Sequence, residues 1–453
     1  MSDPKITVYI ASHNYGRFLE GAIESVLRQS CGGWELLVID DASTDNTRDV
    51  MKLYEGDERV RLFHTNGIGL PAVCNFALMR AKGEYLIRLD GDDLFDENIL
   101  LVLSHHLDTH PDCALVFPDF HYIDDQGTVF AHERRERIFV DNHLLDMPAN
   151  GACTLIRTQV LRDLGGYRED LGAQDGYDLW TRMLGKYRPA NLNLPLFYYR
   201  RHGENLTNNP RRILTARRQI QHDHAKKRLR EYQPVTALIP CRKRYDFCPD
   251  VWSRKLGGKS LLEIAILKCL ASPLIGQIVV ASDTHDVKQV MDAFKDDRLL
   301  FFERRPEETT RSASLADTLF RLSGSFDPAG RGLTVLTYLQ APFVTTETLE
   351  EALCTLILND ADGSMGVQEI SDNLFRRGPH GLVPINPRRG FTSDFDTVYR
   401  EANVALAFKN KNLQSGSLGG PLTVHFTVNP EECVFLSSEQ TLRIAEILAQ
   451  TKT

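Results

Sequence analysis

Residues 84–93 read Glu-Tyr-Leu-Ile-Arg-Leu-Asp-Gly-Asp-Asp, and this stretch determines how the first half of the chain is interpreted. An apolar run rich in strand formers ends in three acids within four residues, so we expect a buried strand that delivers carboxylates to the edge of a sheet. Asp90 and Asp92 are separated by one glycine, and carboxylate oxygens in such a turn can hold Mg²⁺ or Mn²⁺ on phosphate oxygens. The alternative is an acidic turn that caps the helix predicted near Asp96.

The composition is that of an ordinary globular protein. Of the 453 residues, 42% are hydrophobic and 25% are charged, and the length allows two or three domains. No apolar run reaches the roughly 20 residues of a membrane span, and the polar start of the chain leads directly into a predicted strand, so we expect a cytoplasmic protein. The net charge of -8 disfavours nucleic acid as a partner. Nine scattered cysteines without a Cys-x-x-Cys pair indicate buried free thiols.

Strands and helices alternate ahead of the acidic stretch. Residues 6–11 and 34–39 are predicted strands, each followed by a polar loop, with a helix ending near Gln29 between them. A third strand is predicted near residues 61–64. This alternation is typical of an α/β fold with a parallel sheet, in which ligands bind at the carboxyl ends of the strands. We therefore predict that the loops at Ser12 and Asp41 converge. Asp41 can accept the N–H of a uracil-type base, whereas Asp45 is expected to cap a helix.

Three segments in this order, residues 8–14, 38–45 and 88–93, resemble the family 2 glycosyltransferases, whose nucleotide-binding half has a Rossmann-like fold called GT-A. The resemblance implies inverting, metal-dependent transfer of a sugar from a nucleotide-diphosphate donor, by default a UDP-sugar, to a hydroxyl of a surface polysaccharide or glycoconjugate. It implies that Asp41 contacts the base, that Asp90 lies near the donor ribose or sugar, and that Asp92 ligates the metal on the diphosphate. The further donor-binding residues that it implies are Ala11, Ser12, Asn14, Asn75, Arg88 and Gly91.

Residues 164–182 are similar to the acceptor-side segment of that family, in which an acid pair precedes an amphipathic helix. Inverting transfer needs a base on the acceptor hydroxyl, opposite the departing phosphate. We predict that Asp175 is this base. The segment departs from the family pattern, because Gln174-Asp175 stands in place of Glu-Asp and one extra residue precedes Asp178. Asp178 therefore remains a second candidate, and a carboxylate near a helix N-terminus remains its alternative interpretation.

Residues 196–207 look like the closing motif of the family. His202 is a candidate to complete the metal shell or to touch the diphosphate, with a structural role as the alternative, and Arg200 or Arg201 is a candidate to offset leaving-group charge. The following residues, 211–230, are a basic helical stretch with few apolar positions, so we predict a solvated connector. Attraction to anionic lipid, and hence a peripheral contact at the inner face of the membrane, stays open because an acceptor glycan can be lipid-linked.

Near residue 233 the alternation restarts. Strands are predicted at residues 235–240, 278–283 and 334–340, and a helix is predicted to open within residues 256–262. The order resembles the cytidylyltransferases that make CMP-activated acidic sugars such as sialic acid. We therefore predict two Rossmann-like domains in tandem, at residues 1–232 and 233–453. The resemblance also implies a homodimer formed through residues 365–408.

The second domain departs from the cytidylyltransferase pattern at three places. Residues 241–249 keep positive charge but lack the glycines whose N–H groups would wrap a triphosphate. Residues 340–344 are shorter than the family segment and have no hydroxyl or arginine. The late Asp-x-Asp metal pair falls on Phe435 and Ser437. We therefore predict an inactive second domain; the alternatives are a bifunctional enzyme that also makes a CMP-sugar and a non-catalytic scaffold that binds a nucleotide sugar.

Overall fold

The computed structural model describes residues 3–134, 151–183, 185–203, 210–310, 312–370, 372, 374–379, 381–385 and 398–451. The chain divides into two compact units, unit 1 up to Ile220 and unit 2 from Gln221 onward. Each unit has its own central sheet. The division lies within the basic helix whose end was predicted as the domain boundary. Two α/β units in tandem confirm the predicted fold class.

The first half of unit 1 alternates strands and helices as predicted, and its four strands are parallel in the order β3-β2-β1-β4. The strands run one or two residues further than expected, so that Ser12, Asp41 and Asp90 are their last residues. The elements are β1 (Ile6–Ser12), α1 (Gly16–Leu27), β2 (Trp34–Asp41), α2 (Thr47–Lys52), β3 (Val60–Thr65), α3 (Leu70–Arg80) and β4 (Tyr85–Asp90).

The second half of unit 1 extends the sheet beyond β4 with strands of mixed direction. The full order is β3-β2-β1-β4-β8-β6-β9-β5, and β7 pairs with β6. Strand β8 is antiparallel to β4 and β6, whereas β9 is parallel to β6. The elements are β5 (Leu94–Phe95), α4 (Ile99–Thr109), β6 (Cys113–Ile123), β7 (Val129–Glu133), β8 (Leu155–Arg157), α5 (Thr158–Asp163), α6 (Asp175–Met183), β9 (Arg188–Arg200) and α7 (Pro210–Leu229).

Helices cover both faces of the unit 1 sheet, which explains why its central strands are apolar at successive positions. Along β1, Val8 and Ile10 pack into one core cluster, and Tyr9, between them, packs into the cluster on the opposite face. Helix α1 contributes one apolar stripe, of which Leu19 and Ile23 are fully buried. This packing fixes the strands whose carboxyl ends carry the polar loops.

Unit 2 has a seven-stranded sheet of order β14-β13-β10-β15-β19-β16-β20. Strands β10, β13, β14 and β15 are parallel, and β19 is antiparallel to β15 and β16. The elements are β10 (Val235–Cys241), β11 (Lys255–Leu256), β12 (Lys259–Ser260), α8 (Leu261–Leu270), β13 (Gln277–Ser282), α9 (Lys288–Met291), β14 (Leu299–Glu303), α10 (Leu315–Phe326), β15 (Leu333–Thr337), α11 (Thr346–Leu358), β16 (Gly363–Ile370), β17 (Phe375–Gly378), β18 (Gly381–Pro384), β19 (Val398–Lys409), β20 (Thr423–Thr427) and α12 (Glu439–Thr451).

Helix α8 begins at Leu261, within the range 256–262 in which a helix was predicted to open but near its end. Gly257 and Gly258 have φ angles of 57° and 83°, and they turn the chain into the short β11–β12 hairpin. The helix begins only after Ser260, which forms a capping box with Glu263. Among the described residues, no helix combines the length and the apolar character that crossing a bilayer requires.

Candidate active site

The loops that follow β1 and β2 meet through direct hydrogen bonds, as predicted from their position in the sheet. The Asn14 N–H donates to Ser43 Oγ at 2.8 Å, and the Thr44 N–H donates to Asn14 Oδ1 at 2.8 Å. His13 Nδ1 lies 2.6 Å from the Asp41 carbonyl oxygen. The two loops therefore form one joined surface at the carboxyl edge of the sheet.

Asp45 connects the first turns of two helices. Its carboxylate accepts the N–H of Gly16, the first residue of α1, at 2.8 Å and the N–H of Thr47, the first residue of α2, at 3.0 Å. A Cβ atom on Gly16 would lie 2.3 Å from Asn46 Oδ1 and 2.6 Å from the Thr47 nitrogen. This close approach requires glycine at position 16.

The Asp41 carboxylate is held by the loop that follows β3. Oδ1 accepts hydrogen bonds from the Thr65 hydroxyl at 2.6 Å and from the Ile68 N–H at 2.8 Å, and Oδ2 accepts the Gly69 N–H at 2.8 Å. Burial by itself would raise the pKa of Asp41, but these hydrogen bonds outweigh it and lower that pKa. Asp41 is thus an ionised acceptor in a fixed orientation.

Arg88 links Asp90 to Asp175, the residue predicted to be the base. Its side chain, on β4, is only 2% exposed; Nη1 lies 2.5 Å from Asp175 Oδ2, and Nε lies 3.0 Å from Asp90 Oδ1. Asp175 is the first residue of α6, 87 positions later in the chain. Burial raises the pKa of Asp90 to about 6, against the opposing charge of Arg88. One buried guanidinium therefore fixes two carboxylates that the sequence places far apart.

Asp92 and His202, the two residues predicted to ligate a metal ion, lie in direct contact. Asp92 Oδ2 lies 2.9 Å from His202 Nε2, and both side chains are buried. Burial raises the pKa of Asp92, and the hydrogen bond from His202 opposes that rise. The imidazole ring packs against Tyr15 and Phe18, with ring centroids 5.7 Å and 5.3 Å apart. The aromatic contacts fix which ring nitrogen faces Asp92.

The chemistry of this pair fits a divalent metal ion. A carboxylate oxygen and an imidazole nitrogen are both ligands for Mn²⁺-type ions. In this structure the two groups lie within hydrogen-bond distance of each other, at 2.9 Å. Within the part of the chain that the structure describes, no group of three or more His, Cys, Asp or Glu side chains is placed to hold a metal ion.

One cleft collects the residues described above. It is lined by the loops after β1, β2 and β4, by the segment that leads into α6, by the end of β9 and by the start of α7. Ser12 Oγ is buried in this lining and has no hydrogen-bond partner within the described residues. The lining residues are Ala11, Ser12, His13, Tyr15, Asp41, Leu70, Pro71, Val73, Arg88, Asp90, Asp92, Gly172, Ala173, Gln174, Asp175, Tyr199, Arg212 and Ile213.

Some predicted site residues are engaged elsewhere. Asn75 donates to the Tyr167 carbonyl at 2.9 Å and accepts the Tyr167 N–H at 2.8 Å, so it holds the loop before α6. Asp178 is buried and ion-paired with Arg182 at 2.7 Å, outside the cleft lining. Asn14 also lies outside that lining, where it joins the two loops. Gly91 supports the cleft from behind, because its N–H donates to the Ala11 carbonyl at 3.1 Å.

Arg200 and Arg201, the candidates for offsetting leaving-group charge, also lie outside the cleft lining. Arg200 Nε donates to the Asp92 carbonyl at 2.7 Å, its backbone N–H donates to Asp93 Oδ1 at 2.8 Å, and Nη1 donates to the Asp124 carbonyl at 2.7 Å. The Arg201 guanidinium lies over the ring of Tyr122. Arg200 thus binds the acidic turn to the turn between β6 and β7.

Sequence reasoning missed the unusual backbone of the cleft loops. Asn14, Ala42 and Gln174 have φ angles of 60°, 59° and 62°, in the left-handed region. Asparagine is a common residue there, but alanine and glutamine give no sequence signal for it. Strained residues of this kind collect at functional sites. Sequence reasoning also missed two further lining residues, Tyr15 in the loop after β1 and Arg212 in the stretch interpreted as a basic connector helix.

The carboxyl edge of the unit 2 sheet has a different character. The loop after β10 folds back on itself, with Tyr245 and Cys248 exchanging backbone hydrogen bonds of 3.2 Å and 3.3 Å. The Lys243 N–H donates to Asp283 Oδ1 at 2.7 Å. The Leu436 N–H donates to the Gln340 carbonyl at 2.8 Å, so the segment of the missing acid pair does lie beside the shortened segment, 340–344. Several backbone N–H groups of the loop after β10 are thus already hydrogen-bonded within the protein.

Comparison with known proteins divides the chain in the same way. The sequence pattern of glycosyl transferase family 2 matches residues 7–165, and that of a cytidylyltransferase family matches residues 253–379. EpsE of Bacillus subtilis (strain 168) is 31% identical over 210 residues, which are 44% of this chain and 74% of EpsE. TuaG of the same organism, a protein assigned to teichuronic acid biosynthesis, is 34% identical over 127 residues, which are 28% of this chain and 50% of TuaG.

Solved structures also match part of the chain. Residues 1–349 of Staphylococcus aureus TarS, in a complex with UDP-GlcNAc, superpose with a TM-score of 0.42 at 20% identity. The superposition covers 48% of this chain and 65% of that one. Both sequence relatives and this structure match less than half of the chain.

Proposed function

This chain belongs to glycosyl transferase family 2, and from that premise we propose that unit 1 is an inverting, metal-dependent enzyme that transfers a sugar from a nucleotide diphosphate, by default UDP, to a hydroxyl of a glycan. The observation that carries the proposal is the cleft. Asp41, Asp90, Asp92 and Asp175 come from distant parts of the sequence and line it together.

The donor side of the cleft follows from its hydrogen bonds. Asp41 is ionised and held by the Thr65 hydroxyl and two loop N–H groups, so it accepts the N–H of the donor base. Ser12 Oγ offers a further donor or acceptor to the same nucleotide. Asp90, fixed by Arg88, accepts hydroxyl groups of the donor ribose or sugar.

Asp92 and His202 would hold the divalent ion on the donor diphosphate. Bound there, Mg²⁺ or Mn²⁺ supplies positive charge that stabilises the departing nucleotide diphosphate. Arg200, which holds the Asp92 carbonyl, keeps the acidic turn in place.

Asp175 is the base of the proposed reaction. Its Oδ2 is paired with Arg88, which holds the carboxylate in a fixed position at the cleft. It takes the proton of the acceptor hydroxyl as the hydroxyl oxygen attacks the anomeric carbon from the side opposite the leaving phosphate. Attack from that side inverts the configuration at the anomeric carbon.

The assignment of TuaG to teichuronic acid biosynthesis supports a surface polysaccharide or lipid-linked glycan as the acceptor. A cytoplasmic enzyme with peripheral contact at the inner membrane face suits such an acceptor. Unit 2 would be catalytically silent and would join two chains into a homodimer. The consumed N–H groups of the loop after β10, together with Phe435 and Ser437, support a silent unit 2.

The test is a thermal-shift screen of the full chain with UDP, GDP, CDP, dTDP, CMP and CTP, with and without Mn²⁺. We expect one nucleoside diphosphate to raise the melting temperature only when Mn²⁺ is present, because ligands of the folded state stabilise it. Asp92→Ala should remove this shift and leave the ligand-free melting temperature close to that of the wild type. Asp49→Ala, which removes an exposed carboxylate of the same unit, is the matched control. A full Mn²⁺-dependent shift in Asp92→Ala would contradict the metal assignment.

A further inference from the structure

A row of aromatic rings leads out of the cleft along the ends of β9, β6 and β7. Tyr199, on β9, lines the cleft; its ring centroid lies 5.9 Å from that of Tyr122, on β6. Tyr122 in turn stacks on Phe130, on β7, with centroids 6.1 Å apart and planes inclined by 23°. Phe130 is 47% exposed. We name these three residues the aromatic strip.

The aromatic strip carries one exposed positive charge. The Arg201 guanidinium lies over the rings of both Tyr122 and Tyr199, 4.8 Å and 5.7 Å from their centroids. Among the residues that the structure describes, no carboxylate pairs with this guanidinium. A guanidinium stacked on aromatic rings keeps its edge N–H groups free to bind an anion in bidentate fashion.

The strip is rigidly joined to the acidic turn. Arg200 donates to the carbonyls of Asp92 and Asp124, so it ties the turn that carries Asp92 to the turn between β6 and β7. Asp124 Oδ1 accepts the N–H groups of Gln126 and Thr128, which closes the second turn. A ligand that lies on the strip is therefore held at a fixed position relative to the cleft.

We propose that the aromatic strip and Arg201 bind the acceptor, and that the acceptor is an anionic glycan whose sugar units carry carboxylate or phosphate groups. This inference rests on the proposed transferase function. Sugar rings present apolar C–H faces that pack on aromatic rings, and the exposed ring of Phe130 offers such a surface. Arg201 selects the charged unit by charge complementarity. Continuity through Tyr199 carries the end of this glycan into the cleft beside Asp175.

A membrane surface is the competing occupant, since exposed aromatic and arginine side chains also suit a lipid interface. The strip is continuous with the cleft, and a membrane on the strip would give no reason for that continuity. A glycan-binding strip should bind soluble oligosaccharides, whereas a membrane-binding strip should not. The experiment therefore includes both oligosaccharides and vesicles.

The experiment measures binding to the full chain, saturated with UDP and Mn²⁺, of three soluble probes and one membrane probe. The soluble probes are a hyaluronan oligosaccharide, which carries carboxylates, a poly(glycerol phosphate) oligomer and a neutral chitin oligosaccharide of equal length. The membrane probe is vesicles of phosphatidylglycerol and phosphatidylcholine. The variants are Arg201→Gln and Phe130→Ala. The matched controls are Arg59→Gln, an arginine stacked on Trp34, and Phe375→Ala, at a phenylalanine that is 52% exposed.

We expect one of the two anionic oligosaccharides to bind at least tenfold more tightly than the neutral one. Which of the two binds more tightly shows whether Arg201 recognises a carboxylate or a phosphate. Arg201→Gln should remove about tenfold to a hundredfold of this affinity, and Phe130→Ala about threefold to tenfold. The controls should bind like the wild type. Equal binding of neutral and anionic probes, no binding of either anionic probe, or binding to vesicles alone would overturn the inference.

The melting-temperature shift with UDP and Mn²⁺, measured on the same samples, separates this inference from the proposed function. If the wild type shows the shift and the strip variants change no glycan affinity, only the acceptor inference is wrong. If the wild type shows no shift, the proposed function fails first.

Discussion

The two units have parallel strands in the same order, but the loops at the carboxyl edges of their sheets differ. Strands β3-β2-β1-β4 of unit 1 and β14-β13-β10-β15 of unit 2 have the same parallel order. At the carboxyl edge of unit 1, Arg88 and three loops hold carboxylates around a cleft. At the same edge of unit 2, the loop after β10 is closed on itself by Tyr245 and Cys248. Two sheets with the same strand order can thus carry loops of entirely different structure at their carboxyl edges.

The buried charges of the two units also differ. In unit 1, the buried Arg88 lies between two carboxylates, so its charge is compensated. In unit 2, the buried Lys268 donates its Nζ proton to the Ala341 carbonyl at 3.0 Å, and no ion pair to Lys268 is present among the described residues. Compensated charge can be kept ionised for chemistry, whereas uncompensated charge lowers stability.

The largest effect is expected from removing the proposed base of unit 1. Asp175→Asn keeps the size of the side chain and its contact with Arg88 but cannot take a proton. We expect transfer to slow by about a hundredfold to ten-thousandfold. Binding of UDP with Mn²⁺ should persist, because Asp175 is not among the proposed donor or metal ligands. Steady-state transfer and the thermal shift, measured side by side, check both parts.

Asp178→Asn is the internal control for that variant. Asp178 lies three positions further along α6 and is buried against Arg182. Loss of the carboxylate leaves that arginine uncompensated, so the free energy of unfolding should fall by about 3 to 5 kcal/mol. The turnover of the folded protein should stay near that of the wild type. A large loss of turnover without loss of stability would make Asp178 the better candidate for the base.

A smaller effect is expected from the buried lysine of unit 2. Burial lowers the pKa of Lys268 to about 8. Between pH 8 and the ordinary lysine pKa, the unfolded chain carries a proton that the folded chain has lost, so the folded state gains stability as the pH rises. Relative to Lys268→Met, the wild type should gain on the order of 3 kcal/mol between pH 8 and pH 10.5.

Urea unfolding of the full chain at several pH values measures that difference. Lys255→Met, which removes an exposed lysine of the same unit, should follow the wild type at every pH. If the stability difference between Lys268→Met and the wild type stays constant with pH, Lys268 has an ordinary pKa in the folded protein.

The smallest effect is expected from restoring acids to unit 2. Phe435→Asp with Ser437→Asp rebuilds an Asp-x-Asp pattern beside Gln340. We expect no release of diphosphate from CTP in the presence of an acidic sugar and Mg²⁺, because the N–H groups of the loop after β10 are partly used by Asp283 and Cys248. A pyrophosphate-release assay measures this. Turnover in the double variant would mean that the missing acids alone keep unit 2 silent.

The positions of the strands and helices could be predicted well from the sequence, because hydrophobic periodicity reflects which residues are buried. The strands that end at Ser12, Asp41 and Asp90 were predicted to within two residues. The sequence also named Asp92 and His202 as metal-ligand candidates, and the structure places the two side chains in contact. The resemblance could name these candidates because it rested on whole motifs and not on single residues.

Other features of the site depend on contacts between residues far apart in the sequence, which no local sequence pattern reveals. Asn75 was predicted to bind the donor, but its amide serves the Tyr167 backbone. The left-handed conformations of Ala42 and Gln174 arise from tertiary packing, since neither residue prefers them. The bridge from Arg88 to Asp175 joins segments 87 positions apart, and only the folded chain brings them together.

The hydrogen bonds of Asp45 have a consequence for how the carboxyl edge of the unit 1 sheet moves. One carboxylate anchors the first turns of α1 and α2, and Gly16 lets their backbones come together. Neither helix can fray at its start without releasing the other. The amide hydrogens of Gly16 and Thr47 should therefore exchange with solvent in one shared opening event, so the starts of both helices open as a single cooperative unit.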